Sequence, residues 1–345
     1  MSEGRGANKS GLWLRLLPGI IISGVAIYAI VHLTRGQNLI ENLRSVNPSF
    51  VLLLIGITLL SLISRSFAWR AILGNKVSLA TSFYGVCEGY LLNNIFPLRV
   101  GELGRALFVG RASGLGTFHV LSTILIERAF DIFFAASLIL LTLPMVVGSD
   151  WIQPIAIAAF VIVILGMVML LVIAINRERI SAWIAQRDFR AGFFRNKILP
   201  QITKLMDGLS ALVNPGQFFL SVFWIALTWF FWILLYFSTI SQISPNPPFW
   251  WGGFIAGLIA LGVAIPSAPA SVGVYEATIL GAFALLGVTT HAGLAYAIVL
   301  HLAQILVTTF FGIWGLIRDG QSLSTLFETV ISKKAENHPH KAGEL

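Results

Sequence analysis

The sequence predicts an all-α polytopic membrane protein, with about six full transmembrane helices and two Pro/Gly-broken re-entrant helix pairs in an inverted-repeat arrangement. Three observations lead there. The 345 residues are 57% hydrophobic and 11% charged, with mean hydropathy +0.84. Apolar runs long enough to cross a bilayer recur along nearly the whole chain. Stretches such as "IAIAAFVIVILGMVMLLVIAI" at 155–175 are apolar all round, whereas a spanning strand alternates over about ten residues. No soluble domain large enough for separate catalysis is expected.

Full crossings are predicted near 14–33, 50–69, 118–147, 152–175, 217–241 and 291–317. Arg5, Lys9 and Arg15 precede the first, and no small-x-small cleavage site follows it, so it reads as an uncleaved span. Two further stretches, 79–112 and 250–287, are interrupted at "FPLRVGE" and "IPSAPASVGVYE". Each half is too short to cross alone, so both are predicted to dip in and turn back, with breaks at Pro97, Gly101, Pro266, Pro269 and Gly273. Pro97 with Gly101 and Pro269 with Gly273 share a P-x-x-x-G spacing, followed by Glu102 and Glu276.

Charge sets the orientation. With both termini in the cytosol, inner segments carry seventeen Lys and Arg residues, Arg65 and Arg70 among them, against Arg35 and Arg44 outside. The second half of the chain then follows the order of the first, upside down. Residues 1–13 form a cytosolic tail, 14–317 a single membrane domain and 318–345 a disordered cytosolic tail. Within that domain, 176–213 interleaves Arg and Lys with Trp183, Phe189, Phe193 and Phe194, the pattern of an interfacial amphipathic pair. A hairpin that binds a partner is the competing view. The net charge of +8 is spread over short connections and suits anionic lipid headgroups rather than nucleic acid. The single cysteine, Cys87, offers no disulfide or metal framework and reads as a buried thiol.

A charge at the bilayer centre costs about 2.5–3.5 kcal/mol even on the lenient insertion scale, so polar residues there need partners or water. In "NNIFPLRVGELGRALFVGR", 93–111, a helix from 99 onward puts Arg99, Glu102 and Arg105 on one face, with Glu102 flanked by cations. Asn93 and Asn94 precede the break, and the amides freed there favour an anion, a phosphate headgroup being the obvious ligand. In "LIERAFDIFF", Glu127 and Asp131 share a face, with Arg128 about a quarter-turn away. At 1.5 Å per residue Glu127 lies roughly 13 Å deep, placed to answer the arginines of the first break. Glu88, Glu276, His301 and Gln304 complete the polar set. The plain alternative is that these residues only hydrogen-bond between helices. No HExxH, nucleophile elbow, P-loop or strand-borne GxGxxG occurs, so no catalytic residue, metal or cofactor is expected.

These segments resemble the three signature regions of the flippase-like membrane domain of lysylphosphatidylglycerol synthases, over roughly 15–320. Asn94, Pro97, Arg99, Gly101, Glu102 and Arg105 meet the first motif, and Glu127, Arg128 and Asp131 the second. Pro269, Gly273 and Glu276 meet the third, where Ala270 and Ser271 stand in place of the usual glycines. The chain ends about thirty residues after its last predicted span, so it is expected to be a stand-alone member without the soluble aminoacyl-transfer domain. The resemblance implies flipping or scrambling of anionic or phosphate-bearing lipids across the cytoplasmic (inner) membrane of a prokaryote, without catalysis. Two alternatives stay open. One is a scaffold or accessory subunit for a lipid-synthesising enzyme; the other is an intramembrane lipid transferase using Glu127 or Asp131 as base.

Overall fold

Asparagine, serine and proline set where three of the helices begin. A computed structural model describes residues 21–28, 39–96, 100–148, 151–186, 201, 207–265, 267–288 and 292–320. Helix α1 is Leu39–Arg44 and α2 is Pro48–Ile72. Asn47 caps α2 by accepting from Ser49 N at 2.9 Å, with Pro48 in the first turn, where a missing N–H costs nothing. Ser78 caps α3, Leu79–Ile95, in the same way at 3.0 Å from Thr81 N. After the first break come α4, Gly101–Ala112, and α5, Thr117–Val147, which ends at a left-handed Gly148. Then follow α6, Ile152–Ile175, α7, Arg177–Gln186, and the single turn α8, Ser210–Val213. Helix α9, Pro215–Ile240, repeats the Asn-Pro start through Asn214. Beyond it lie α10, Trp250–Gly262, a 3-10 turn at Pro269–Ser271, α11, Val274–Leu285, and α12, Gly293–Arg318.

Five of these helices, α2, α5, α6, α9 and α12, are long and apolar enough to cross a bilayer. Each lies within three residues of the crossing expected at its position. Of the crossing expected at 14–33, residues 21–28 are described and are helical. The two interrupted stretches form pairs of shorter helices, α3 with α4 and α10 with α11. Pro97, Arg99 and Pro266 lie outside the described residues, as do Phe189, Phe193 and Phe194 of the basic segment.

Packing follows a distinct pairing. Helix α2 packs along α9, α3 along α12, and α10 along α5, while α4 fits between α3 and α5. Leu54, Ile57, Ile225, Trp229, Ile255, Ile279 and Leu300 form the largest buried cluster, and Leu62, Trp69, Cys87, Val109 and Ile124 a second. Helix α6 touches this core along one edge, through Met167, Leu170, Leu171, Ile173 and Ala174. Only Ala156 and Ala174 of its residues are fully buried, so most of its apolar surface faces outward, as the even hydrophobicity of its sequence requires.

Candidate functional site

Arg65 sits one turn before Trp69 on α2, and Glu127 one turn before Asp131 on α5. The four meet inside the bundle. Arg65 donates from Nε and Nη2 to Glu127 Oε1 at 3.0 and 2.6 Å, and from Nη1 and Nη2 to the two oxygens of Asp131 at 2.7 and 2.5 Å. Arg105, from α4, approaches Glu127 from the other side, with Nη1 to Oε1 at 3.0 Å and Nη2 to Oε2 at 2.8 Å. Its guanidinium lies 3.4 Å from the centre of the Trp69 ring, whose own Nε1 donates to Thr123 Oγ1 at 3.2 Å. Arg128 completes the cluster, 3.2 Å from Glu127 and 3.3 Å from Asp131. Trp229 Nε1 donates to Asp131 at 3.3 Å.

Three guanidinium groups and two carboxylates leave one positive charge in excess, since arginine stays protonated. Desolvating five charges is tolerable only when nearly every donor and acceptor is met, and here Glu127 is fully buried with guanidinium groups on both oxygens. Arg128 differs from its neighbours. Its side chain is 32% exposed, and its Nε, like that of Arg105, is buried with no partner among the described residues. An unmet buried donor costs about 1–3 kcal/mol, and with one hydrogen bond against two for Arg105 and four for Arg65, Arg128 is the least satisfied of the three guanidinium groups.

Arg128 opens onto a cavity of about 490 Å³. Arg65 and Asp131 share that wall. Asn93, Asn94 and Phe96 line it from the first break, and Ser267, Ala268, Ala270 and Ser271 from the second. Helix α3 packs against the 3-10 turn, so the two breaks meet here. Each break is secured by a polar side chain. Asn93 Oδ1 accepts from Gly101 N at 2.8 Å and so caps α4, whose own N-cap residue offers no side chain for the purpose. Glu276 Oε2 accepts from Gly273 N at 2.7 Å at the start of α11. Gly101 must be glycine for another reason: a Cβ there would overlap the Gly89 carbonyl.

The remaining wall is aromatic and amide. Tyr275 stacks on His301 at 4.0 Å and donates to Gln304 Oε1 at 3.1 Å, while His301 Nδ1 meets Glu276 Oε1 at 2.6 Å. Trp229, Trp232 and Tyr236 of α9 close the cavity. Asn94 reaches across to Thr308 and Thr309 of α12 at 3.0 and 3.2 Å.

The structure thus brings Arg105, Glu127, Arg128 and Asp131 into one cluster and places Asn93 and Asn94 beside it. Glu102 stands elsewhere. Arg105 turns to Glu127 instead of flanking Glu102, which lines no part of the cavity and pairs with no cation among the described residues. Glu276 reaches the cavity only through His301. Glu88 lies apart from both, buried against Gly315, with no hydrogen bond to Oε1 among the described residues. Arg65 requires a correction: counted among the inner-side loop charges, it is buried inside α2 and is the centre of the network. Removing it from the count leaves sixteen inner charges against two, so the bias survives. Its signal was its place in "LISRSFAWR", a whole turn before Trp69 and ahead of Arg70, where the apolar run has not ended.

The chain is similar to known membrane proteins. The family model for the lysylphosphatidylglycerol synthase TM region matches residues 16–312. A UPF0104 membrane protein of Methanothermobacter thermautotrophicus is 24% identical over 334 residues, covering 88% of this chain and 96% of the relative.

Proposed function

The chain belongs to the family of the lysylphosphatidylglycerol synthase TM region, and from that premise we propose that this multi-pass membrane protein binds and translocates anionic or phosphate-bearing lipids. One observation carries the reading. The cavity lies where two broken helical regions meet, and its one partly exposed, incompletely bonded cation, among the described residues, is Arg128. Discontinuous helices meeting at mid-depth are how many transporters build a substrate site. The mostly apolar wall suits the glycerol and acyl part of a lipid.

The packing supports an inverted repeat. Exchanging the set α2, α3–α4, α5 with the set α9, α10–α11, α12 maps the α3–α12 contact onto α10–α5 and leaves α2–α9 as itself. A pseudo-two-fold relation of this kind is what lets one half rock against the other. In this reading the pairs α3–α4 and α10–α11 are re-entrant. The protein lies in the cytoplasmic membrane of a prokaryote with both termini cytosolic, 176–213 rests on the inner leaflet, and 14–317 is the single membrane domain. Transport is favoured over catalysis because the lone pairs of Glu127 and Asp131 are occupied by guanidinium N–H groups, which leaves neither placed to abstract a proton.

Leaflet exchange of a labelled phospholipid in liposomes containing the purified protein tests the proposal. Exchange by the wild type, lost in Arg128→Gln and Arg105→Ala variants that still fold, is the expected result. Absence of exchange across several headgroups, with and without an imposed proton gradient, would overturn it.

A further inference from the structure

We infer that the cavity selects a net-anionic headgroup that bears no ammonium group. This rests on the lipid-binding reading above and narrows it. An ammonium ion has donors and no acceptor, so its site must supply free oxygens. Those of the carboxylates in and beside the cavity are engaged, and the Thr58 hydroxyl, which lines it without a partner among the described residues, is neutral and offers an ammonium no counter-charge. Asp131 Oδ1 accepts from Arg65 at 2.7 Å and Trp229 at 3.3 Å, and Oδ2 faces Arg65 at 2.5 Å and Arg128 at 3.3 Å. Glu127 is surrounded by three guanidinium groups, and Glu276 divides its two oxygens between His301 and the Gly273 amide.

Donors are in the opposite position. Arg128 has five N–H groups, of which one makes a hydrogen bond, to Glu127 at 3.2 Å, and a second faces Asp131. The amide of Asn93 is oriented by Gly101 N, which can only donate, so Oδ1 is fixed as the acceptor. That leaves Nδ2 of this cavity-lining residue with no hydrogen-bond partner among the described residues. The cluster carries one excess positive charge, and the Trp232 ring, a face able to attract a cation, already has Arg65 at 5.5 Å. Spare N–H groups, occupied carboxylates and a positive excess together match a phosphodiester with an uncharged remainder. The lysylated lipid in the family's name carries ammonium groups, so this chain is assigned to the unlysylated anionic class.

The test uses the full chain in phosphatidylcholine liposomes with three labelled probes: phosphatidylglycerol, phosphatidylethanolamine and lysylphosphatidylglycerol. Phosphatidylglycerol is expected to exchange at least tenfold faster than the other two. Asn93→Asp keeps an acceptor for Gly101 N and replaces only the donor by a carboxylate oxygen. That variant, with an unchanged melting temperature, is expected to reduce the preference to below threefold. Equal or faster exchange of either ammonium-bearing lipid by the wild type overturns the inference, as does an undiminished preference in a folded Asn93→Asp protein.

If no probe exchanges, translocation fails and headgroup choice is read separately, as retention of the same three lipids by the protein in detergent. Tenfold preferential retention of phosphatidylglycerol supports the inference there, and equal retention overturns it. Glycerol 3-phosphate is the soluble arm. Displacement of phosphatidylglycerol by it at matched concentration would keep the anion chemistry and assign it to a soluble solute; no displacement assigns it to the lipid.

Discussion

Arg65 and Asp131 meet through two parallel N–H···O bonds, Nη1 to Oδ1 at 2.7 Å and Nη2 to Oδ2 at 2.5 Å, between helices α2 and α5. The fork geometry is specific to arginine, and the same guanidinium also bonds Glu127 through Nε and Nη2. One side chain therefore holds two buried acids. Arg65→Met would leave both short of a cation, a loss expected to cost about 3–5 kcal/mol. Arg65→Lys should recover little of it, because one ammonium cannot span the oxygens that the guanidinium bridges. Thermal unfolding in detergent of the two variants beside the wild type checks this, and a fully stable Arg65→Lys protein would contradict it.

A second prediction concerns Arg105 and Glu127. Their bidentate contact joins α4 to α5 and seats the guanidinium on Trp69. Either single change, Arg105→Met or Glu127→Gln, strands a buried charge, whereas the double change removes one of each sign. The double variant should thus be more stable than the sum of the single losses implies, with a coupling of about 1–3 kcal/mol. A double-mutant cycle on unfolding free energy measures it, and additive losses would show that the contact contributes no coupling.

How much of this was legible before the structure depends on what each signal encodes. Spans were legible because an apolar run of bilayer length has few other uses, and the ends of α2 and α9 carry the Asn-Pro pairs that start them. The E-R-x-x-D spacing placed Glu127 and Asp131 on one face, since a helical repeat alone determines that. What faced them was not legible. Arg105 has Glu102 three residues away, yet it pairs with Glu127, twenty-two residues on, because the helix turn between α4 and α5 brings the two side chains together. Arg65 is sixty-two residues from its partner, and nothing local separates a buried arginine near a span's end from one that marks the membrane surface. Trp229, Tyr275 and Ser267 carry no signal of their own in an apolar sequence, and only the meeting of the two breaks makes them neighbours of the cluster.

The second break holds two non-glycine residues in left-handed backbone, Ala270 at φ 54° and Ser271 at φ 56°. These are the positions at which the resemblance leads one to expect glycines. Left-handed backbone costs an L-residue roughly 1–2 kcal/mol, and a glycine loses about 0.4–1 kcal/mol through its freer unfolded chain. Ala270→Gly and Ser271→Gly are therefore expected to stabilise slightly, each by up to about 1 kcal/mol. Gly273→Ala should act in the opposite direction. Its φ is +84°, and a Cβ there would come 2.9 Å from Ile27 Cγ1 and 3.0 Å from the Ser23 carbonyl. Melting temperatures of the three variants in one detergent test the signs together.

Glu276 divides its two oxygens between tasks, and the two can be separated by substitution. Oε2 accepts from Gly273 N at the start of α11, and Oε1 holds His301 Nδ1 at 2.6 Å, which in turn stacks against Tyr275. Glu276→Gln keeps an amide oxygen for the Gly273 N–H and replaces only the contact with His301. Glu276→Ala loses both and leaves a helix-start amide unmet beside the cavity. A lost N-terminal cap costs about 0.5–2 kcal/mol, so the alanine variant should be less stable than the glutamine variant by roughly that amount. The sharper readout is local. Backbone hydrogen exchange over 273–276 should accelerate in Glu276→Ala and stay near wild type in Glu276→Gln, because the cap that closes the first turn of α11 survives only in the latter. Equal acceleration in both would mean that His301, not the Gly273 amide, is what the carboxylate holds in place.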